Sequence, residues 1–247
     1  MLTKDQAVCI RAVDYSETSQ VVTFFTRTTG KISVIAKGSK RPKSPVGGPI
    51  ELFSTGKIVF SATTDQKLST LTEFEQQDNF GGLARNISVM NSCLFAVELL
   101  DNLTKDYDPH PQLFDSFLQF LQNISEMQGQ PVTTSLLILF QLTLLKEVGL
   151  QPVLNHCVNC KTQYAPRNTQ SELYFSSGAN GLICRDCESA FADKIRLSSN
   201  AAKCLNNLKM IADAGEKTLK EIEKILINHF TAILGRRPKM AKHILKL

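Results

Sequence analysis

Tryptophan is absent from these 247 residues, and Phe and Tyr together supply only 7% of them. A binding surface built mainly from stacked rings is not what this composition favours. Long apolar runs are also missing. The longest, residues 136–145, is broken by polar residues and falls short of the ~20 that a membrane-spanning helix needs. No basic segment followed by an apolar one opens the chain, so no signal peptide is expected. Phosphate-loop chemistry is excluded where it might start: Gly30-Lys31 and Gly56-Lys57 have Phe25 and Glu51 where the upstream glycine should stand. There is no Gly-x-Ser-x-Gly elbow and no His-x-Glu of a zinc deaminase. The four histidines, at 110, 156, 229 and 243, pair with no nucleophile and read as surface or helix filler. These absences favour a binding protein over an enzyme, with no catalytic residue, no membrane and no small-molecule substrate. A cytoplasmic location is expected.

Cysteine is what the chain has in quantity. Four of seven form two Cys-x-x-Cys pairs, Cys157/Cys160 and Cys184/Cys187, with 23 residues between. In a reducing compartment a disulfide framework is not expected. Each pair can present two thiolates from one tight knuckle, and two knuckles make the tetrahedron that zinc prefers. The spacing is slightly longer than the usual zinc-ribbon range. Gly178, Asn180 and Gly181 look like a hairpin turn between the knuckles. Four thiolates close the shell, whereas a catalytic zinc keeps a position open. The zinc is therefore expected to be structural. His156 stands next to Cys157 as a competing ligand, and buried or redox cysteines are the alternative. Cys9, Cys93 and Cys204 read as small buried hydrophobes.

The rest of the chain changes character at Gly81-Gly82. Before it, residues 7–13, 21–27, 31–37, 50–62 and 67–75 are β-rich, with a hairpin turn at Thr28-Thr29-Gly30. Ala7, Cys9, Arg11 and Val13 should share one side of the first strand. Five antiparallel strands suggest an OB-type Greek-key barrel, or an SH3-like one. After it, apolar residues at 83, 87, 90, 94, 97 and 100 have helical spacing. A second helix follows Pro109 and Pro111, striped by Leu113, Phe114, Phe117, Phe120, Leu121 and Ile124. A third, from near Thr133 to Gly149, is apolar almost all round and should be central. Two more follow the cysteines, one capped near Ser198-Ser199 and one from about Lys217 to Gly235. The expected fold is α+β. Residues 1–80 form the barrel, 81–156 and 191–247 the two parts of a helical domain, and 157–190 an inserted four-cysteine zinc finger.

Charge is uneven. Residues 1–60 carry nine Lys/Arg against four Asp/Glu, residues 61–156 four against eleven, and residues 157–247 fifteen against eight. Two basic regions flank an acidic middle, which points to a polyanion partner. Lys37, Lys40, Arg41 and Lys43 lie in one Gly/Pro-rich stretch between barrel strands and suit phosphate contacts; a solvated connection is the bland alternative. Phe24, Phe25, Phe53 and Phe60 are the candidates for stacking, though most suit a core. In the tail, Arg236 and Arg237, followed by Lys239, Lys242 and Lys246, either add a second contact or balance a helix end.

YSETSQVVTFFTRTTGKISVIAKGSKRPKS, then GGPIELF and LSTLTE, resembles the amino-terminal domain of the bacterial recombination mediator RecO family. EVGLQPVLNHCVNC, GLICRDC and LGRRPK extend the resemblance over almost the whole chain in the same order. The resemblance implies a DNA-binding OB-fold domain, a helical domain and a zinc-binding insert. It implies binding of single- and double-stranded DNA, annealing of complementary strands, and help in loading RecA onto DNA coated with single-strand binding protein (SSB). RecR and the acidic, apolar SSB C-terminal tail are the implied protein partners, in a bacterial cytoplasm at the nucleoid. The acidic middle turns attention to the basic helices of 190–247 as the face for such a tail. A zinc-ribbon adaptor that binds protein and not DNA is the alternative.

Overall fold

A computed structural model describes residues 2–44, 46–61, 68–127, 129–164 and 172–245. Two compact units result: Met1–Gly82 with Leu103–Gln122, and Leu83–Asn102 with Asn123–Leu247. Among the described residues no helix is long and apolar enough to cross a membrane. Lys246, one of the tail cations, and Lys67, the start of the fifth β-rich run, lie outside the described residues.

In the first unit, β1 (Leu2–Asp14), β2 (Gln20–Thr26), β3 (Gly30–Ala36), β4 (Thr55–Ser61) and β5 (Ser69–Asp78) close into a barrel of order β1-β2-β3-β5-β4. This is the OB arrangement. The strands are not all antiparallel: Val34 and Ile35 pair in parallel with Ser69 and Thr70, and that short ladder closes the ring. Closure leaves no unpaired sheet edge. Cys9, Val22, Phe24, Ile32, Val34, Ile58, Phe60 and Phe74 fill the interior.

Strict alternation fails along β1. A bulge between Cys9 and Arg11 inserts one residue and reverses the phase. Ala7 and Cys9 therefore face the core, while Arg11 and Val13 face outward, not all four together. The run at 50–62 is likewise only partly strand. Residues 50–54 approach as a loop in which Phe53 adopts φ 67°, its N–H donating to Cys9 O while Cys9 N–H donates to Ser54 O.

The turn at Thr28-Thr29-Gly30 is held from two sides. Gly30 has φ 84°, and a Cβ there would lie 2.4 Å from the carbonyl oxygen of Asp108. The buried Asp5 carboxylate accepts from Thr28 N–H and from the Thr28 and Thr29 hydroxyls. Helix α2 (Pro111–Glu126) brings Phe114 to Phe25, ring centroids 6.1 Å apart. Asp115 of α2 accepts two 2.9 Å bonds from the Arg27 guanidinium.

In the second unit a 3-10 turn, Gly81–Arg85, precedes α1 (Ile87–Leu103). The turn breaks the helical phase expected from residue 83. Ile87 is 72% exposed, and Val89, Cys93, Ala96 and Leu100 form the buried face. Helix α3 (Gln130–Glu147) is deeply buried and packs against α5 (Glu216–Leu234). Between them the Gln141 amide donates to Glu223 at 2.7 Å. Ser198 caps α4 (Ser199–Asn206) by accepting from Ala201 N–H, and Gly235, at φ 66°, ends α5. His229 of α5, expected as filler, is a core residue, 1% exposed and edge-on to Phe175 at 5.2 Å. Burial pulls its pKa down to about 4. The last helix among the described residues is the short α6 (Ala241–Ile244).

Candidate functional site

The two cysteine pairs converge. The sulfurs of Cys157, Cys160, Cys184 and Cys187 all lie within 4.8 Å of one another, an arrangement that could hold a metal ion. Cys160 Sγ and Cys184 Sγ are 3.7 Å apart. Four sulfurs at about 2.3 Å from one centre in a tetrahedron would be separated by about 3.8 Å, so the spacing fits a tetrahedral thiolate shell.

Local structure explains the convergence. The first knuckle is a tight turn in which Cys157 N–H donates to Thr162 O and Lys161 N–H to Cys157 O, with Lys161 at φ 63°. The second begins where β7 (Gly181–Cys184) runs into a 3-10 helix, Arg185–Ala190, that carries Cys187. β6 (Leu173–Ser176), β7 and β8 (Ile195–Arg196) form a small sheet of order β7-β6-β8, and the β6–β7 hairpin turns at Ser177–Asn180. Gly181 lets the backbone of Val153 come close: an added Cβ would sit 2.5 Å from Val153 O. Through that approach Leu182 N–H reaches Val153 O, and Val158 N–H reaches Leu182 O, which ties the two knuckles together.

The electrostatics also suit a cation. Burial pushes the Cys157 thiol up, but backbone N–H groups of Cys184, Cys160 and Asn159 outweigh it and bring it down to about 6. Burial, aided by the neighbouring sulfurs, pushes Cys184 up to about 12. Four crowded thiols cannot all ionise unless a positive centre compensates them. Asn159 Nδ2 donates to Cys187 Sγ at 3.2 Å, and Thr162 Oγ1 lies 3.2 Å from Cys160 Sγ. His156 is not part of the cluster; its Nδ1 lies 2.8 Å from Asn155 Oδ1.

The barrel carries the cationic loop at one end. Lys37, Lys40, Arg41 and Lys43 are all exposed, just beyond the last residue of β3. They are not equivalent. Lys40 Nζ pairs with Asp14 at 2.7 Å, whereas Lys37, Arg41 and Lys43 have no ion-pair partner among the described residues. The loop is anchored to the β1–β2 connection: Lys40 N–H donates to Thr18 O and Gly38 N–H to Ser19 Oγ. Deeper in, the buried Gln20 amide oxygen accepts from Ser39 Oγ and Ile50 N–H. The four phenylalanines considered for stacking, Phe24, Phe25, Phe53 and Phe60, are all interior at 2% exposure or less. An exposed aromatic, Tyr15, stands just past the end of β1, 67% exposed. Sequence reasoning passed over it because the bulge hides the outward phase that links Arg11, Val13 and Tyr15.

In the second unit the basic tail is partly pinned. Arg236 donates to Asn102 Oδ1 at 2.6 Å, and the backbone N–H groups of Lys239 and Met240 donate to the Glu98 carboxylate. Arg237 stays exposed and unpaired among the described residues. Close by in sequence, α1, α3, α5 and α6 enclose a pocket of about 330 Å³. Leu137, Ile244 and Leu245 supply its apolar wall, Lys220 and Lys224 its cations, and Glu223 its buried floor.

The comparisons with known proteins follow the same division. Residues 1–80 match the family model described as recombination protein O N terminal, and residues 85–242 match recombination protein O C terminal. The chain is 31% identical to the DNA repair protein RecO of Bacillus subtilis (strain 168), over 91% of this chain and 84% of that protein. It is 28% identical to the DNA repair protein RecO of Bacillus pumilus (strain SAFR-032), over 98% and 93%. It is 30% identical to that of Listeria monocytogenes serotype 4b (strain CLIP80459), over 82% and 75%.

Proposed function

The chain belongs to the recombination protein O (RecO) family of DNA repair proteins, and on that footing we propose that it is a DNA-binding recombination mediator. It binds single- and double-stranded DNA, anneals complementary strands, and helps load RecA onto SSB-coated DNA, with RecR as a partner, at the nucleoid in the cytoplasm. The role is carried by binding, with no catalytic step.

The observation that supports this reading most is the exposed cationic loop fixed on the rim of a closed OB barrel. Lys37, Arg41 and Lys43 offer unpaired charges to phosphates, and Lys40 joins them by exchanging Asp14 for a phosphate. Neutralising phosphates on two strands lowers their mutual repulsion, which favours pairing of complementary bases. Arg237, with Arg236 once it leaves Asn102, is a second contact from the other unit. The Cys157, Cys160, Cys184 and Cys187 site holds zinc in a structural role, because four thiolates leave no position for water or substrate.

The SSB tail is assigned to the pocket between α1, α3, α5 and α6. Its apolar wall suits an apolar residue, and Lys224, exposed and unpaired among the described residues, suits an acidic peptide. Lys220 is shared with Glu216 at 2.7 Å.

The test is annealing of two complementary oligonucleotides, one fluorescent, at low and moderate salt, with and without SSB. Annealing that speeds up with protein, fades with salt and persists on SSB-coated strands is the expected result. Charge reversal at Lys40 and Arg41 should weaken binding to all sequences and flatten the salt slope. No annealing and no DNA binding at low salt would transfer the reading to a protein-binding adaptor.

A further inference from the structure

We propose that Tyr15 and the apolar row beside it seat unpaired bases, so that this barrel face discriminates single-stranded from duplex DNA. The inference rests on the DNA-binding reading above and adds what phosphate contacts alone cannot supply, since phosphates are present on both forms.

The row is written in the strand register. Val13 of β1 lies opposite Val21 of β2, and Val21 lies opposite Ile35 of β3. These three stand on the outer face, because their neighbours Val22, Val34 and Ala36 belong to the barrel core. Val13 is 47% exposed, and Val21 and Ile35 are half-buried. The next row is Arg11, Thr23 and Ser33, the last two joined by a 3.0 Å hydroxyl pair. No carboxylate belongs to either row. The face is thus a shallow apolar strip with one cation and neutral hydroxyls along its side.

Tyr15 continues the strip. It follows Val13 by two residues, at the start of the β1–β2 connection, and is 67% exposed. Its hydroxyl has no hydrogen-bond partner among the described residues. Its backbone is fixed nonetheless: Tyr15 N–H donates to Ser19 O at 2.9 Å. The same connection is bonded to the cationic loop through Thr18 O, Ser19 Oγ and the Asp14–Lys40 pair. The ring is therefore presented from a braced turn beside Lys37, Arg41 and Lys43. Of the two carboxylates here, Asp14 at the end of β1 is already paired with Lys40, and Glu17 in the connection remains exposed.

A polyanion that also carries flat apolar faces matches this combination. Bases within a duplex stack on one another and offer no free face, so a ring and an apolar strip act only on unpaired bases. Positive charge on the rim excludes a basic partner and matches a single strand running along β1, β2 and β3 with its backbone toward the loop.

The test compares Tyr15→Ala and Tyr15→Phe with the intact protein on a single-stranded oligonucleotide carrying 2-aminopurine and on a blunt duplex of equal length, at one salt concentration. Y15A should weaken single-strand binding about tenfold, the usual loss for one stacked base, and leave duplex affinity and the salt slope unchanged. Y15F should restore the affinity and the stacking-dependent quenching of 2-aminopurine. Melting curves of all three should coincide, because the side chain is exposed. Equal losses on both DNA forms, or no loss on the single strand, would overturn the proposal while the DNA-binding reading stands. If the intact protein binds neither form, the earlier reading itself fails.

Discussion

Glu223→Gln should make the helical unit more stable at pH 8 and leave it nearly unchanged at pH 4. Glu223 is 2% exposed; Oε1 accepts from Gln141, and Oε2 has no hydrogen-bond partner among the described residues. Burial pushes its pKa from 4.5 up to about 7, the Gln141 bond only partly opposing this. The folded chain therefore holds a proton that the unfolded chain has released above about pH 4.5. Stability from this group is fully present below 4.5, is lost as pH rises through 7, and is constant beyond. A gap of about 2.5 units corresponds to roughly 3 kcal/mol. Glutamine keeps an oxygen for the Gln141 N–H and has no charge to release, so the variant avoids that loss. Urea unfolding followed by circular dichroism, at pH 4 and pH 8, measures the difference between the two proteins. Taking that difference cancels the titration of His229, which both share. A variant less stable than the parent at both values would show that Glu223 is ionised and compensated, and would refute the argument.

Two shorter tests address the frame of the molecule. Elemental analysis should find about one zinc per chain, and Cys160→Ser, at an exposed ligand, should abolish it and lower hydrogen-exchange protection in β6 and β7 while protection of the barrel is kept. Near-zero zinc in the native protein would remove the metal assignment. Gly30→Ala should destabilise the barrel by roughly 3 kcal/mol or more, from the φ of 84° and the contact with Asp108, whereas Gly82→Ala, with open space around it, should shift urea unfolding by less than about 0.5 kcal/mol. Equal effects at the two glycines would contradict the geometry.

Local signals carried the sequence reading a long way. Ligand spacing within each cysteine knuckle is a property of a few consecutive residues, and the four sulfurs do come together. The stripe of α2, Leu113 to Ile124, is buried throughout as its period requires. The features that escaped depend on distant partners. The parallel closure of β3 on β5 joins residues some 35 apart, and the β1 bulge exists only relative to β2. The Asp14–Lys40 pair distinguishes one cation of the loop from three others that look alike in sequence. The stacking candidates failed for a related reason. Phe24 and Phe60 have the alternation of barrel strands, and a closed barrel puts that phase inside, so the exposed rings of this unit, Tyr15 and Tyr107, lie outside the strands.

The first compact unit is discontinuous in sequence, since Leu103–Gln122 belong with Met1–Gly82. During synthesis, Phe25 must wait for Phe114, and Gly30 for the backbone of Asp108. At 5–20 residues per second the ribosome needs about 2–8 s to make the 40 residues between positions 82 and 122. For that interval the five strands exist without the helix that covers Phe25. The nascent barrel therefore presents an apolar face to chaperones before it is complete, and a stop codon placed after the last strand would leave it in that state for good.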